Sequence, residues 1–140
     1  LFNSVFKLQK RAIRLITFSK SREHADPLFK SLSILPLKNI YIISIALFMF
    51  KHHHHLLPPV IDELFRCSSS IHQYDTRQRH FLRGPRLRSN ISKKSLRFRG
   101  AFLWNQVLTN VDIYITPNQL KKSLKELLSS QSPFLLDPLT

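Results

Sequence analysis

Residues 37–57 read LKNIYIISIALFMFKHHHHLL. Pro36 stands before this stretch and Pro58-Pro59 follow it, so the segment has a sharp start and a sharp stop. From Ile40 to Phe50 only Ser44 interrupts the apolar run. A helix that is apolar nearly all round belongs at the centre of a bundle. The β-branched Ile40, Ile42, Ile43 and Ile45 would also suit a strand, but the length and the lack of internal turn signals favour a helix. Crossing a bilayer takes about 20 apolar residues. A buried core helix from Leu37 to about Leu57 is therefore expected, and no membrane partner.

Toward the N-terminus, Phe2 to Phe18 reads as an amphipathic helix. Phe2, Val5, Phe6, Ile13 and Ile16 share one face, flanked by Leu8, Ala12 and Leu15, while Lys7, Lys10, Arg11 and Arg14 take the other. As the first helix of a domain, it is expected to spend that apolar face on the core. Pro27 suits the first turn of a short helix through Leu32 with Asp26 as N-cap. The chain begins at Leu1 rather than Met, which suggests a piece of a longer reading frame.

Toward the C-terminus, Val60 to Phe65 is expected to add a helical turn or two. Cys67 to Gln73 is a Ser-rich link. From Thr76 to Val111 lie nine basic residues and no acidic one: Arg77, Arg79, Arg83, Arg86, Arg88, Lys93, Lys94, Arg97 and Arg99. Gly84-Pro85 breaks any helix there. Ser95 to Arg99 alternates, Leu96 and Phe98 against Arg97 and Arg99, as a strand with one wet face would. Ala101 to Leu108 returns to a helical pattern around Trp104. Thr116 is the expected N-cap of a last helix to Ser129, with Pro117 first in it and Leu120, Leu124 and Leu127 as its buried stripe. The expected organisation is a helical body over 1–66, a link and basic arm over 67–100, returning helices over 101–130, and a tail over 131–140. The fold class is mainly α: a small helical bundle with a basic, partly extended arm that has room for a short β-ribbon.

The balance of 22 Lys+Arg against 8 Asp+Glu gives a net charge of +14, which calls for a polyanionic partner, nucleic acid before a membrane surface. Aromatic and imidazole rings interleave with the arm cations at His72, Tyr74, His80, Phe81 and Phe98, and such rings can stack on unpaired bases. Tyr74 is as well suited to docking the arm on the body, and Arg77 to pairing with Asp75. Trp104 and Phe102 read as packing aromatics. The cations Lys7, Lys10, Arg11 and Arg14 form a secondary basic stripe.

Several chemistries are excluded by what is missing. Cys67 is the single cysteine, so no disulfide closes within the chain and no multi-cysteine zinc site exists. That suits a reducing, intracellular setting, nuclear or cytoplasmic. Gly84 and Gly100 are the only glycines, so there is no glycine-rich phosphate loop and no Gly-x-Ser-x-Gly elbow. At helical spacing only His52 and His55 of the four-histidine run share a face, and no carboxylate or thiol lies within the run. A polar helix end is expected there, with no metal and no cofactor.

The motifs form an ordered set. Leu8-Gln9-Lys10-Arg11-Ala12-Ile13-Arg14 comes first, then His24-Ala25-Asp26-Pro27-Leu28-Phe29 and Leu32-Ser33-Ile34-Leu35-Pro36-Leu37. Leu56-Leu57-Pro58 follows, then His72-Gln73-Tyr74-Asp75-Thr76-Arg77. Lys93-Lys94-Ser95-Leu96-Arg97-Phe98-Arg99-Gly100 and Leu103-Trp104-Asn105 close it. Across roughly Leu8 to Leu128 this order resembles the region downstream of the polymerase core in LINE-type (non-LTR) retrotransposon reverse transcriptases. Two positions depart from the pattern: His52 to His55 replace a mixed polar and aromatic stretch, and Asp75 stands where Asn is common.

The resemblance implies a transposable-element parent, an RNA-directed DNA polymerase, of which this chain is a fragment outside the catalytic palm. The family's Tyr/Phe-x-Asp-Asp box is absent, and Asp62-Glu63, the only adjacent acidic pair, lacks the preceding aromatic frame. The chain is thus expected to be no enzyme. Its expected partners are nucleic acid, RNA or DNA, and the upstream polymerase domain. The expected interface is Tyr74 with the nine arm cations. The alternative is a structural module that packs on the polymerase without touching nucleic acid.

Overall fold

A computed structural model of the chain describes residues 2–70, 80–108 and 116–130. Among them are six α-helices and no strand: α1 (Phe2–Ile16), α2 (Ala25–Ser31), α3 (Leu37–His53), α4 (Pro59–Asp62), α5 (Leu96–Leu108) and α6 (Pro117–Ser130). Short 3-10 turns occupy Ser68–Ser70 and Ser92–Lys94. The chain is mainly α. No helix among the described residues is long and apolar enough to cross a membrane.

The apolar run of α3 is the hub. Ile42, Ile43, Ile45, Ala46, Met49 and Phe50 are buried against Ala101, Leu103 and Trp104 of α5 and Leu120, Leu124 and Leu128 of α6. Ridges of α5 come close to α3 at Gly100. A Cβ there would lie 2.7 Å from Met49 Sδ and 3.2 Å from Phe65 Cε1, so only hydrogen fits without a shift. α6 starts with a reciprocal cap: Gln119 N donates to Thr116 Oγ1 (3.4 Å), and Thr116 N donates to Gln119 Oε1 (2.8 Å). This satisfies two orphan donors at once. Its buried stripe is Leu120, Leu124 and Leu128; Leu127, expected inside, turns outward because an i, i+4, i+8 row faces α3.

Three carboxamides stitch the elements together. Gln9 of α1 brackets Pro36: its Nε2 donates to Leu35 O (3.0 Å), and Leu37 N donates to its Oε1 (2.8 Å). Asn39, buried just ahead of the apolar run, donates through Nδ2 to Leu128 O (3.2 Å), one of the carbonyls left open at the end of α6. Asn105 receives Leu82 N (2.9 Å) and donates to Leu82 O (3.0 Å), so a side chain pairs with backbone as a neighbouring strand would.

Three helices stop the same way. Ser19 N reaches Arg14 O and Phe18 N reaches Leu15 O, with Phe18 at φ 52°. The pattern repeats with Ser33 after α2 and His55 after α3. This is the left-handed C-terminal cap at which glycine is the usual residue. A side chain there costs about 1–2 kcal/mol. These caps end α1 at Ile16 and α3 at His53, short of the expected Phe18 and Leu57. α2 begins at Ala25, with His24 rather than Asp26 outside it and Asp26 in its first turn.

Two expectations fail outright. The Ser95–Arg99 alternation is no strand: α5 begins at Leu96, Ser95 Oγ accepts Phe98 N (3.4 Å), and five residues of alternation also fit one helical turn. The β-pairing that exists among the described residues is a single antiparallel bridge between Cys67 and Leu82. Nor does α1 spend its whole apolar face. Ile13 is buried and Phe6 stacks on Phe29 (6.3 Å), in a small second core with Ala25. Val5, Leu8, Leu15 and Ile16 stay exposed, because the seven-residue α2 covers only the strip around Ile13.

Candidate nucleic-acid interface

The arm is anchored at its near end by the residues around Leu82. Ser68 N donates to Phe81 O (3.0 Å) and Arg83 N donates to Arg66 O (2.9 Å) on either side of the bridge, and Asn105 holds Leu82 from α5. Gly84 then runs past Phe98; a Cβ on it would sit 3.7 Å from Phe98 Cδ2. That contact brings the Arg83–Arg88 segment alongside the first turn of α5. Ser89 and Ser92 bond through their hydroxyls (2.8 Å) and fold the chain back into the Ser92–Lys94 turn.

Arg83, Arg86, Arg88, Lys93, Lys94 and Arg97 are all exposed along this path. Three of them, Lys93, Lys94 and Arg97, crowd the N-terminus of α5, whose first turn carries no acidic residue. Cations at that end oppose the helix dipole. An anion placed there would relieve both the dipole and the mutual repulsion of the cations. Phe98 and Phe102 stack with parallel rings (6.3 Å) beside Arg97. Phe102, expected to pack, is half exposed, since the interior beside α3 is taken by Leu103 and Trp104. His80 is exposed and Phe81 half-buried.

Arg99, expected on a wet face with Arg97, is buried instead. It is 5% exposed. Its Nε donates to Lys93 O (3.3 Å), its Nη1 donates to Tyr41 Oη (3.3 Å), and its guanidinium lies 5.7 Å from the Tyr41 ring centroid. The planar fork bridges the turn before α5 to α3 and stacks on an aromatic face, which is what arginine does better than lysine. Arg99 belongs to the architecture of the arm's far end. Tyr74, Arg77, Arg79 and His72 lie outside the described residues.

The histidine run does more than end a helix. His52 packs on Phe65 (4.9 Å), His53 on Trp104 (5.8 Å) and His54 on Phe50 (4.2 Å). Asp62 of α4 meets the run: His55 Nδ1 is 3.3 Å from Asp62 Oδ2, and His52 Nε2 is 4.0 Å from Asp62 Oδ1. The carboxylate missing from the run in sequence thus arrives from seven residues beyond it. No group of three His, Cys, Asp or Glu among the described residues is placed to hold a metal ion. Burial lowers the His53 pKa from its usual value, and the neighbouring charges of His54, His52 and His55 add to this.

The secondary stripe sits apart from the arm. A groove of about 670 Å³ runs along α1, lined by Lys7, Lys10, Arg11 and Arg14 together with Leu8 and Leu15. Ser19 and Ser21, from the turn after α1, close its end, and no acidic residue lines it. None of the ion pairs among the described residues engages these four cations. Sequence reasoning named the cations but missed the groove, because it assigned the leucines to the core. No family model, curated protein or solved structure matches this chain.

Proposed function

We propose that this chain is a non-catalytic accessory region, equivalent to the segment downstream of the polymerase core in a LINE-type retrotransposon reverse transcriptase, and that its basic arm holds template RNA, primer or target DNA. The observation that carries this reading is the run of six exposed cations from Arg83 to Arg97, folded beside the positive end of α5 with no acidic residue among them. A phosphodiester backbone supplies the charge that this surface lacks, and arginine suits bidentate contact with phosphate. The ordered motifs support the family assignment, and two of them acquire physical roles: Gly100 admits α3, and Asn105 holds Leu82.

The absence of paired aspartates in the sequence supports a role without catalysis. The purified chain is expected to incorporate no nucleotide on a primed template with magnesium or manganese; measurable extension would overturn the non-catalytic reading. The interface is tested by changing Arg83, Arg86, Arg88 and Arg97 together to Gln. Affinity for RNA and DNA probes should fall at least tenfold with helical content unchanged. A specific observation favours the second reading, a structural module on the polymerase: Arg99 and residues 81–83 are built into the body. On that reading the quadruple variant binds as the parent does.

A further inference from the structure

The groove along α1 has features that the arm does not explain. On this helix, Ile13 faces the small core while Lys7, Arg11 and Leu8 stay exposed, and Leu15 is 71% exposed. Phe18, one residue past the helix cap, is 97% exposed and stands at a left-handed position where glycine would fit without strain. The fold gains nothing from its ring. Lys10 Nζ lies 4.4 Å above the Phe6 ring, and Arg14 Nε donates to Glu23 O (2.9 Å), so two of the four cations are held in place beside the groove.

We propose that this groove binds single-stranded nucleic acid, with Lys7, Arg11 and Arg14 on successive phosphates, Leu8 and Leu15 against unpaired bases, and Phe18, exposed on the turn after α1 and outside the groove lining, against a further base. Lys7 to Arg14 covers about 10 Å along the helix at 1.5 Å per residue, so the cations form a short track rather than a point. Cations beside apolar and aromatic groups are the pairing that single strands need, since their bases are unstacked and open to contact. A duplex hides its bases and would leave the leucines and Phe18 unused. An anionic bilayer also takes basic and apolar side chains together. A bilayer takes the apolar side chains on a face separate from the charged ones, however, and here Leu8 and Leu15 line the same half-open groove as Lys7, Lys10, Arg11 and Arg14. The site rests on the nucleic-acid reading of the chain's charge, but it shares no residue with the arm.

The test uses the full chain, a short mixed-sequence single-stranded oligonucleotide, a duplex hairpin, inorganic polyphosphate, and vesicles containing anionic lipid. Lys7→Gln with Arg11→Gln should reduce the salt slope on the single strand by about 1.4, at 0.7 per phosphate contact. Phe18→Gly should weaken single-strand binding about fivefold or more, by loss of one base contact, and leave duplex and polyphosphate binding unchanged. Thermal unfolding of each variant confirms an intact fold. Equal losses on polyphosphate and single strand would overturn the base contact. Vesicle binding that Phe18→Gly abolishes, with single-strand binding untouched, would replace the proposal with a membrane site. If the α1 variants change nothing while the arm variant loses affinity, the groove fails and the arm stands. If only the α1 variants lose affinity, the groove stands and the arm fails.

Discussion

The bundle of α3, α5 and α6 and the pair α1–α2 are built on opposite terms. Among the described residues the core around α3 counts fourteen buried residues, Phe65 and Leu82 with those of the three helices, whereas the pair encloses three. The bundle's polar groups are turned inward to work: Asn39 meets the end of α6, Asn105 holds Leu82, and Arg99 ties Tyr41 to Lys93. None of the pair's charged groups is buried, and part of its apolar surface is exposed as well. A chain of net charge +14 can therefore fold around one helix and keep a second helix amphipathic in the open. The link between the two regions is narrow. Among the described residues it includes the Gln9 clamp around Pro36 and an edge contact of Phe2 with Tyr41 at 6.3 Å.

The largest expected effect separates the regions directly. Trp104→Ala should cost about 3–5 kcal/mol and melt the bundle as a unit, as urea unfolding followed by circular dichroism would show. Ile13→Ala should cost about 2–5 kcal/mol within α1–α2, while amide exchange in α3 stays slow. Simultaneous loss of protection in both regions would break the comparison. Next in size, Asn105→Ala strands Leu82 N and O and should cost about 1–3 kcal/mol in chemical unfolding. Phe18→Gly reverses the sign: removing a left-handed side chain should stabilise the chain by about 1 kcal/mol in thermal melts. The gain would confirm that the fold does not need the ring.

The smallest effect is a pH dependence at the seam of α3 and α5. His53 lies against Trp104 with its pKa lowered by burial and by the neighbouring histidines. The unfolded chain then takes up a proton at higher pH than the folded one. Stability should be full above the ordinary histidine range and fall as pH drops through about 6.5 toward the lowered folded value. His53→Asn should flatten that fall in thermal melts. An unchanged pH profile in the variant would remove His53 as its source.

Much of this was legible in the sequence where a signal is local. The apolar run of α3 announced the hub, and Thr116-Pro117 announced the start of α6. What was not legible depends on partners far along the chain. Arg99 reads as one more arm cation until Tyr41, 58 positions away, is seen beneath it. Asn39, just ahead of the apolar run, carries no signal in the sequence; its donor meets the end of α6, 89 positions away. The Ser95–Arg99 alternation misled because five residues cannot separate a strand from a helical turn, and the choice fell to packing at Gly100. For the interface, the arm's charge was evident, but which cations face out was not. The groove on α1 was hidden by the assumption that an apolar face must be covered.

In the proposed role the exposed arm cations, and not the buried Arg99, would form the phosphate-binding surface. The most direct measurement is the affinity for a duplex as a function of salt. With about four or five cations reaching phosphates, log affinity should fall against log salt with a slope of roughly −4. Changing Arg83, Arg86, Arg88 and Arg97 to Gln should flatten it by about 3.6, at 0.9 for each of the four lost contacts, without lowering thermal stability. A flat parent slope, or a quadruple variant that keeps the parent slope, would contradict the account.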